Sequence, residues 1–354
     1  MKKDQKDFLK ALLECHCPSG YEGSVREVFK KRVEKSADSI EVDTMGNCMA
    51  ILNPKGSPTI MLAGHTDEIG LQVTHIDDNG FISFGTIGGH DRGLIPGRRV
   101  LVHSEKGPVS GVTGKMAIHL MTDADKKRIP EVFEMWIDIG AKDKAEAEEL
   151  VSIGDAVTYD MGYQELRNDL AASRAFDDRT GVYVAAETFL ALAKGKKPKA
   201  KVVAVATVQE EIGTRGAITS TYGVAPDIGV CIDVCHATDS PGMDLRKTGL
   251  TKLGGGPRLA RGASVSPYIF DLLKGAAEKT KTPYQLGAVP GQAPNDARSI
   301  QLARSGVATG TVGLPLRYMH TPSEVISLKD LDHSVTILEE FCRSVDGKTR
   351  YRPE

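Results

Sequence analysis

The stretch Val202-Val-Ala-Val-Ala-Thr-Val-Gln-Glu-Glu-Ile-Gly-Thr-Arg-Gly-Ala217 contains an apolar run that stops at two adjacent carboxylates and a glycine. Such a run is typical of a buried strand, and it would bring Glu210 and Glu211 to the carboxyl end of that strand. Ligands and catalytic groups collect at this edge of open α/β sheets. The stretch therefore predicts an α/β fold with a site at the end of this strand.

Length and composition are those of an ordinary globular protein. A chain of 354 residues is longer than most single hydrophobic cores, which predicts two domains. The net charge of -2 arises from interspersed signs, so neither nucleic acid nor an anionic membrane is an expected partner. The polar N-terminus has no signal-peptide pattern, and no apolar run reaches the roughly 18 residues of a membrane span, so a cytoplasmic location is expected.

The six cysteines are predicted to be free thiols, because disulfide frameworks are rare in intracellular chains of this size. The clusters Cys15-His-Cys17 and Cys231…Cys235-His236 suggest a zinc site as an alternative. Neither cluster has the CxxC spacing of common structural zinc modules, which argues against that alternative.

Residues 71–161 differ in pattern from the segments on either side. They contain short strand-like runs punctuated by turns at Asp78-Asn-Gly80 and Glu105-Lys-Gly107. Helical and buried-strand patterns occupy the flanking segments. The sequence therefore predicts a discontinuous catalytic α/β domain, 1–70 and 162–354, interrupted by an inserted small β-barrel or sandwich over 71–161.

Five places carry polar, metal-competent side chains directly after an apolar strand or before a helix. They are His65/Asp67, Asp177/Asp178, Glu210/Glu211, Asp233 and His320. The ends of parallel strands lie side by side, so these groups are expected to converge on one cleft. That many buried carboxylates repel one another unless cations neutralise them, and divalent metal ions are the simplest neutraliser.

The chemistry of such a cluster suggests a division of roles. Two histidines and three carboxylates are sufficient ligands for two ions when one carboxylate bridges them, at a separation of roughly 3.5–4 Å. A carboxylate that binds no metal would serve as general base, so Glu210 and Glu211 are expected to divide the roles of ligand and base. Asp67, two residues after His65, is expected to fix the tautomer of that imidazole.

Each assignment has a structural alternative. A Glu-Glu pair is usually a solvated helix face, as predicted for Glu148-Glu149, whereas Glu210 and Glu211 follow an apolar strand. An aspartate after an apolar run, such as Asp233, is also compatible with a helix N-cap. The remaining histidines are interpreted as hydrogen-bonded or surface residues: His16, His75, His90, His103, His119, His236 and His333.

Five motifs in order produce a resemblance to a known family. They are Gly64-His-Thr-Asp-Glu-Ile-Gly70, Phe176-Asp-Asp-Arg-Thr-Gly181, Val208-Gln-Glu-Glu-Ile-Gly-Thr-Arg-Gly216, Cys231-Ile-Asp233 and Tyr318-Met-His-Thr-Pro-Ser-Glu324. Across essentially the whole chain, the sequence resembles the co-catalytic dimetal aminopeptidases of the glutamyl/deblocking group, which includes the tetrahedral TET peptidases. No position expected to bind metal departs from the family pattern.

The resemblance implies two metal sites that share a bridging ligand. It assigns one ion to His65, Asp177 and Asp233, and the other to Asp177, Glu211 and His320. It assigns the role of general base to Glu210 and the orientation of His65 to Asp67, and it implies a cis peptide between Asp177 and Asp178. Zinc or cobalt suits such ligands, with manganese as an alternative.

The resemblance also implies a fold, an assembly and a reaction. The fold is a phosphorylase/hydrolase-like α/β/α metallopeptidase domain with an inserted small β-barrel-like domain used in dimerisation and assembly. Many members form hollow dodecamers built from dimers, so self-association through residues 71–161 is expected. The implied reaction is hydrolysis of the N-terminal residue from short peptides by water that two metal ions activate.

Three other functions are compatible with the sequence. An N-acyl amino-acid or peptide deacylase on the same dimetal fold would use similar ligands, and a metal-stabilised, non-enzymatic assembly protein would bind metal without turnover. Some relatives have been labelled glucanases, although glycoside hydrolysis needs two free carboxyl groups and no metal.

The preferred side chain at the cleaved N-terminal residue is not determined by the sequence. The segment Leu253-Gly-Gly-Gly-Pro-Arg258 is compatible with a loop of the specificity pocket and equally with a surface turn. Arg258 would accordingly meet an acidic side chain of the substrate or only a neighbouring surface.

Overall fold

The computed structural model describes residues 1–353. Its helices are α1 Lys3–Glu14, α2 Gly23–Val33, α3 Lys144–Leu150, α4 Phe176–Lys194, α5 Arg215–Val224, α6 Leu245–Thr248, α7 Pro267–Thr280, α8 Ala297–Gln301 and α9 Leu328–Ser344. Its strands are β1 Ser39–Val42, β2 Cys48–Leu52, β3 Thr59–His65, β4 Gly70–Ile76, β5 Ile82–Ile87, β6 Arg99–Ser104, β7 Gly107–Lys115, β8 Met135–Asp138, β9 Ala156–Tyr159, β10 Gln164–Glu165, β11 Leu170–Ser173, β12 Lys201–Thr207, β13 Ile228–His236, β14 Arg258–Gly262, β15 Gln285–Val289, β16 Ala308–Arg317 and β17 Glu324–Ser327.

The larger sheet has the strand order β1-β2-β12-β3-β13-β16-β17-β11-β10, and β14 pairs with β16 and carries β15. The central strands β12, β3, β13 and β16 are parallel, so their carboxyl ends share one edge of the sheet. The apolar run that begins at Val202 forms β12, which ends at Thr207, three residues before Glu210. The predicted α/β fold is therefore confirmed.

Helices cover both faces of this sheet. Ile60 and Leu62 of β3 pack in a hydrophobic core with residues of α1, α2, α4, α7 and α9. Met61 and Ala63, which alternate with them, pack in a second core with residues of α5 and α8. A strand covered on both sides has no polar face, which explains why the central strands are continuous apolar runs in the sequence.

Glycines allow α4 to lie directly on the ends of the central strands. A Cβ atom at Gly64 of β3 would overlap the backbone of Gly181 in α4. A Cβ atom at Gly181 would overlap the carbonyl oxygen of Ile232 in β13. The two glycines therefore set how closely α4 approaches the edge of the sheet where the polar residues lie.

The smaller sheet closes into a barrel with the strand order β4-β5-β8-β7-β6-β9. These strands follow β3 and precede β10 along the chain, so the barrel interrupts the larger sheet. Its interior has a hydrophobic cluster of its own, which includes Leu71, Val73, Ile82, Val100 and Ile137. The predicted combination of an α/β unit with a small β-barrel-like unit is confirmed.

All six cysteines lie in the described range and are free thiols, as predicted. Within residues 1–353, every helix is too short or too polar to cross a lipid bilayer.

Gly64→Ala is expected to lower the free energy of unfolding by about 2 kcal/mol or more, because the added methyl group must displace the backbone of Gly181. Urea unfolding followed by circular dichroism measures the change. Gly275→Ala is the matched control, since a Cβ atom there meets no other part of the protein within 4 Å and Gly275 lies inside α7. This substitution is expected to stabilise the protein by about 0.5–1 kcal/mol, and equal effects of the two substitutions would contradict the close approach.

Candidate metal centre

The predicted site residues meet at the carboxyl edge of the larger sheet. They are His65 at the end of β3, Asp67 in the turn after it, Asp177 at the start of α4, Glu210 and Glu211 after β12, Asp233 in β13, and His320 after β16. Because β12 and β3 are parallel neighbours, Thr207 at the end of β12 is paired with His65. The fold thus brings together all seven residues to which the sequence analysis assigned a catalytic or metal-binding role.

Asp177 lies between the two histidines. Its Oδ1 atom is 3.1 Å from Nε2 of His65, and its Oδ2 atom is 3.4 Å from Nε2 of His320. The two oxygens of one buried carboxylate therefore face two separate imidazoles. This is the arrangement expected of a carboxylate that bridges two ions.

Further acids surround each histidine. Nε2 of His65 lies 3.9 Å from Oδ1 of Asp233 and 4.0 Å from Oε2 of Glu210. Nε2 of His320 lies 3.4 Å from Oε2 of Glu211. Three groups have one donor atom per residue within 4.8 Å of the others: His65, Asp178 and Asp233; His65, Glu210 and Glu211; and Asp177, Glu211 and His320.

The charges of these residues do not balance one another. Burial raises the pKa of Asp233 to about 7 and that of Glu210 to about 9, and it raises the pKa of Glu211 well above its usual range. At Asp177, burial acts in the same direction, but hydrogen bonds with the two histidines outweigh it and lower the pKa. These acids disfavour one another's ionisation. Divalent cations bound among them would compensate the negative charges and favour the ionised forms.

The donor set also suits such ions chemically. Imidazole nitrogens and carboxylate oxygens bind ions such as zinc at about 2.0–2.2 Å, so donor atoms within 4.8 Å of one another are close enough to share an ion. None of the three groups contains a cysteine, so the alternative Cys/His zinc site finds no support among residues 1–353. The residues present therefore fit a pair of divalent cations.

Asp67 contacts both glutamates as well as the histidine. Its Oδ1 accepts a hydrogen bond from the backbone N–H of Glu210 at 3.0 Å, and its Oδ2 accepts one from the backbone N–H of Glu211 at 3.1 Å. Ser19 Oγ donates to the same Oδ2 at 2.6 Å. Nδ1 of His65 lies nearer to the backbone oxygen of Asp67, at 3.1 Å, than to its Oδ1, at 3.4 Å. The Asp67 carboxylate therefore holds the glutamate pair, a contact that the sequence analysis did not foresee.

Two other buried carboxylates hold the backbone of predicted ligands. Oδ2 of Asp178 accepts a hydrogen bond from the backbone N–H of His65 at 3.1 Å. Glu324 accepts through Oε2 from the N–H of Asp177 and through Oε1 from the N–H of His320, both at 3.1 Å. The Asp177–Asp178 peptide is cis, as the resemblance implied. Sequence reasoning quoted Glu324 only as the end of a motif, because no local pattern connects it with a residue 147 positions away.

The acidic cluster borders a cavity of about 1230 Å³. Other parts of the wall include His236, Tyr222 and three arginines, Arg258, Arg298 and Arg304. His236, which the sequence analysis placed outside the site, follows Asp233 on β13 and reaches this wall.

Comparison with known proteins identifies the family. The M42 glutamyl aminopeptidase family matches residues 46–337. The chain belongs to the M42 glutamyl aminopeptidase family. A putative aminopeptidase of Acetivibrio thermocellus is 34% identical over 342 residues, covering 96% of this chain and 98% of the relative. The lysyl aminopeptidase of Pyrococcus furiosus is 32% identical over 343 residues, covering 95% of this chain and 97% of the relative.

Solved structures of TET peptidases resemble this M42 protein over 96–98% of its length. The TET aminopeptidase of Thaumarchaeota archaeon SCGC AB-539-E09 has a TM-score of 0.94 at 33% identity and covers 98% of both chains. The Pyrococcus horikoshii TET1 peptidase, which assembles into a tetrahedron or a large octahedral shell, has a TM-score of 0.86 at 32% identity, covering 96% of this chain and 100% of the other. The expected family, fold and enzyme class, a metal-dependent aminopeptidase, are confirmed.

Glu324→Gln is expected to weaken the binding of divalent cations by about 10- to 100-fold. The carboxylate accepts hydrogen bonds from the backbone N–H groups of Asp177 and His320, and the amide would place an NH₂ group against one of them, so that one proposed ligand would lose its support. Titration of the metal-free protein with Co²⁺ or Zn²⁺ against a competing chelator measures the affinity. Glu41→Gln, at an exposed position of β1, is the matched control and is expected to leave it unchanged. Equal affinities for the two variants would exclude a positioning role for Glu324.

Proposed function

We propose that this M42 protein removes the N-terminal residue from short peptides with the help of two divalent cations. The observation that carries the proposal is the position of Asp177, whose two oxygens face His65 and His320 within one buried acidic cluster. Family membership supplies the class of reaction, and the cavity beside the cluster supplies space for a peptide end.

In this proposal Asp177 would serve both ions. His65, Asp177 and Asp233 would hold one ion, and Asp177, Glu211 and His320 would hold the other. Zinc and cobalt suit these nitrogen and oxygen donors, and manganese is the alternative. When bound, the ions polarise the scissile carbonyl group and lower the pKa of a water molecule in the cavity.

Glu210 is the proposed general base. Its backbone is held by Asp67, and its side chain borders the cavity, with Oε2 4.0 Å from Nε2 of His65. Glu210 takes a proton from the attacking water and returns it to the departing amine nitrogen. Burial raises the pKa of Glu210, which favours retention of the proton between the two transfers.

Other functions require different substrates. A deacylase on the same ligand set would cleave N-acylated amino acids or peptides and would not need a free α-amine. A glucanase would act without metal, so turnover that a chelator abolishes would count against that label. A non-enzymatic assembly protein would bind metal and release no amino acid from any peptide.

Glu210→Gln is expected to retain both metal ions and to lose nearly all turnover of peptides with a free N-terminus, because the amide accepts no proton. His320→Ala is expected to lose metal, because it removes a proposed ligand. Elemental analysis and the hydrolysis of aminoacyl-anilides, compared with their N-acetylated forms, measure both effects.

Glu148→Gln, in an exposed Glu-Glu pair on α3, is the control for this experiment and is expected to match the parent protein. Near-normal turnover by Glu210→Gln would refute the base assignment. Faster cleavage of the N-acetylated substrates would favour the deacylase.

We also propose that the protein is cytoplasmic and forms a dodecamer built from dimers. Residues 71–161 would be an inserted domain between the catalytic segments 1–70 and 162–354, and the protein would self-associate through this domain. The similar PhTET1-12s protein forms a dodecamer, and the similar TET1 peptidase can assemble into a tetrahedron, which supports this proposal. So do large apolar side chains on the segment between β7 and β8, where Leu120 is 77% exposed and Phe133 is 84% exposed. Apolar side chains left this exposed on one segment are typical of interaction surfaces.

The double substitution Leu120→Glu and Phe133→Glu is expected to shift the assembly to dimers or monomers, because charge would oppose burial of this segment in an interface. Size-exclusion chromatography with light scattering measures the molar mass. Val42→Glu, an exposed apolar position on β1, is the control and is expected to leave the assembly intact. An unchanged mass for the double variant would exclude this segment from the interface.

A further inference from the structure

The turn that carries Glu210 begins with two main-chain N–H groups that donate to buried side chains. The N–H of Val208 donates to Oδ1 of Asn47 at 3.0 Å. The N–H of Gln209 donates to Oε1 of Glu22, also at 3.0 Å. Asn47 and Glu22 are both buried. The Glu22 contact therefore lies one residue before the proposed base.

Gln209 has a main-chain conformation that needs such support. Its φ angle is 55°, in the left-handed region that residues other than glycine rarely occupy. Its carbonyl oxygen accepts a hydrogen bond from the N–H of Arg215, which closes the turn on the other side. Because Glu210 is the next residue, a rotation of the Gln209 peptide would move the Glu210 side chain directly.

Glu22 occupies the N-cap position of α2, but its side chain makes no hydrogen bond that caps this helix. An N-cap side chain usually accepts a hydrogen bond from the first turn of its own helix. Oε1 of Glu22 instead accepts from the N–H of Gly20 at 2.8 Å and from that of Gln209. The orientation of this carboxyl group is therefore explained by the turn before Glu210 and not by the stability of α2.

The contact at Glu22 needs an acceptor oxygen more than it needs a negative charge. Burial and the negative charge of nearby Asp67 raise the pKa of Glu22, and the N–H groups of Gly20 and Gln209 act in the opposite direction. Both N–H groups donate to the same oxygen. A glutamine side chain, which also ends in a carbonyl oxygen, is therefore expected to replace Glu22 in this role.

The segment between α1 and α2, which contains Glu22, also supports the base from a second direction. Ser19 Oγ donates to Oδ2 of Asp67, whose other oxygen accepts from the N–H of Glu210. The segment is itself attached to the turn after β3, since Cys17 and Glu68 exchange two hydrogen bonds. The segment is therefore anchored beside the acidic cluster independently of α2.

We propose that Glu22 is a positioning residue for the general base, and that it holds the Gln209 peptide so that the Glu210 carboxylate faces the attacking water. This inference rests on the proposed aminopeptidase function and on the role of Glu210 in it. Glu22 does not line the cavity, so it acts through the main chain. A displacement of about 1 Å at a reacting group is enough to lower a rate by about 100-fold.

The test measures kcat and KM for hydrolysis of an aminoacyl-anilide at saturating Zn²⁺ or Co²⁺. Glu22→Ala removes the acceptor for Gln209, and Glu22→Ser does the same while providing a preferred N-cap residue for α2. Both variants are expected to lower kcat by about 10- to 100-fold and to leave KM near that of the parent protein. Glu22→Gln is expected to retain most of the parent kcat, because its amide oxygen accepts the same hydrogen bonds.

Glu187→Ala is the matched control for a purely structural effect. Glu187 is equally buried on α4 and accepts hydrogen bonds from Gln5 of α1 and Arg32 of α2. This substitution is expected to lower the midpoint of urea unfolding, as Glu22→Ala does, and to leave kcat unchanged. Crystal structures of the zinc-loaded variants give a readout besides activity: Glu22→Ala is expected to displace the Glu210 carboxylate by about 1 Å and to leave His65 and His320 in place.

Each outcome decides the role of Glu22. An unchanged kcat in Glu22→Ala and Glu22→Ser, a loss in Glu22→Gln as large as in Glu22→Ala, or an equal loss in Glu187→Ala would overturn the proposal. Loss of bound metal from Glu22→Ala would assign Glu22 to the support of Glu211 and would overturn it as well.

These results are distinct from a failure of the proposed function. Near-normal turnover by Glu210→Gln would remove the base that Glu22 is proposed to position. Failure of the parent protein to hydrolyse any free-amine substrate after loading with zinc, cobalt or manganese would overturn the aminopeptidase function itself.

Discussion

Mutual repulsion among buried carboxylates is the constraint on which the rest of this structure depends. Asp177, Glu210, Glu211 and Asp233 are gathered at one edge of the sheet with only two imidazoles among them. Such a cluster keeps its carboxylates charged only when cations compensate them, because otherwise burial raises their pKa values and favours the protonated forms. The surrounding fold therefore has to provide a rigid support for each acid, and these supports account for much of what lies around the site.

The supports are themselves carboxylates, and they act on the main chain. Asp67 holds the turn after β12, Asp178 holds the end of β3, and Glu324 holds both the start of α4 and the turn after β16. The pKa of Asp67 is lowered, since its contacts with His65 and Ser19 outweigh burial, and the N–H groups that donate to its charged carboxylate form stronger hydrogen bonds than they would to a neutral acceptor. Each of these bonds fixes a backbone position, so the ligand side chains are already oriented when a cation binds.

Strand register sets the separation between the acidic cluster and Arg258 in the wall of the cavity. The pairing of β13, β16 and β14 sets Arg258 two strands away from Asp233, with Gly313 between them. The distance between the acidic and basic ends of the cavity is therefore a property of the sheet.

The sequence by itself determined the α/β class, the barrel-like insertion and the members of the acidic cluster, because these leave local patterns. The apolar run before Glu210 marks a buried strand, and the order of five short motifs marks the family. Only the tertiary structure assigned Glu324 to the backbone of Asp177, and only the pairing with Gly313 moved Arg258 from an undecided loop to the cavity wall. The physical reason is the same in both cases: main-chain hydrogen bonds and cross-strand register join residues far apart in the chain, and neither changes the composition or periodicity of the segments that they connect.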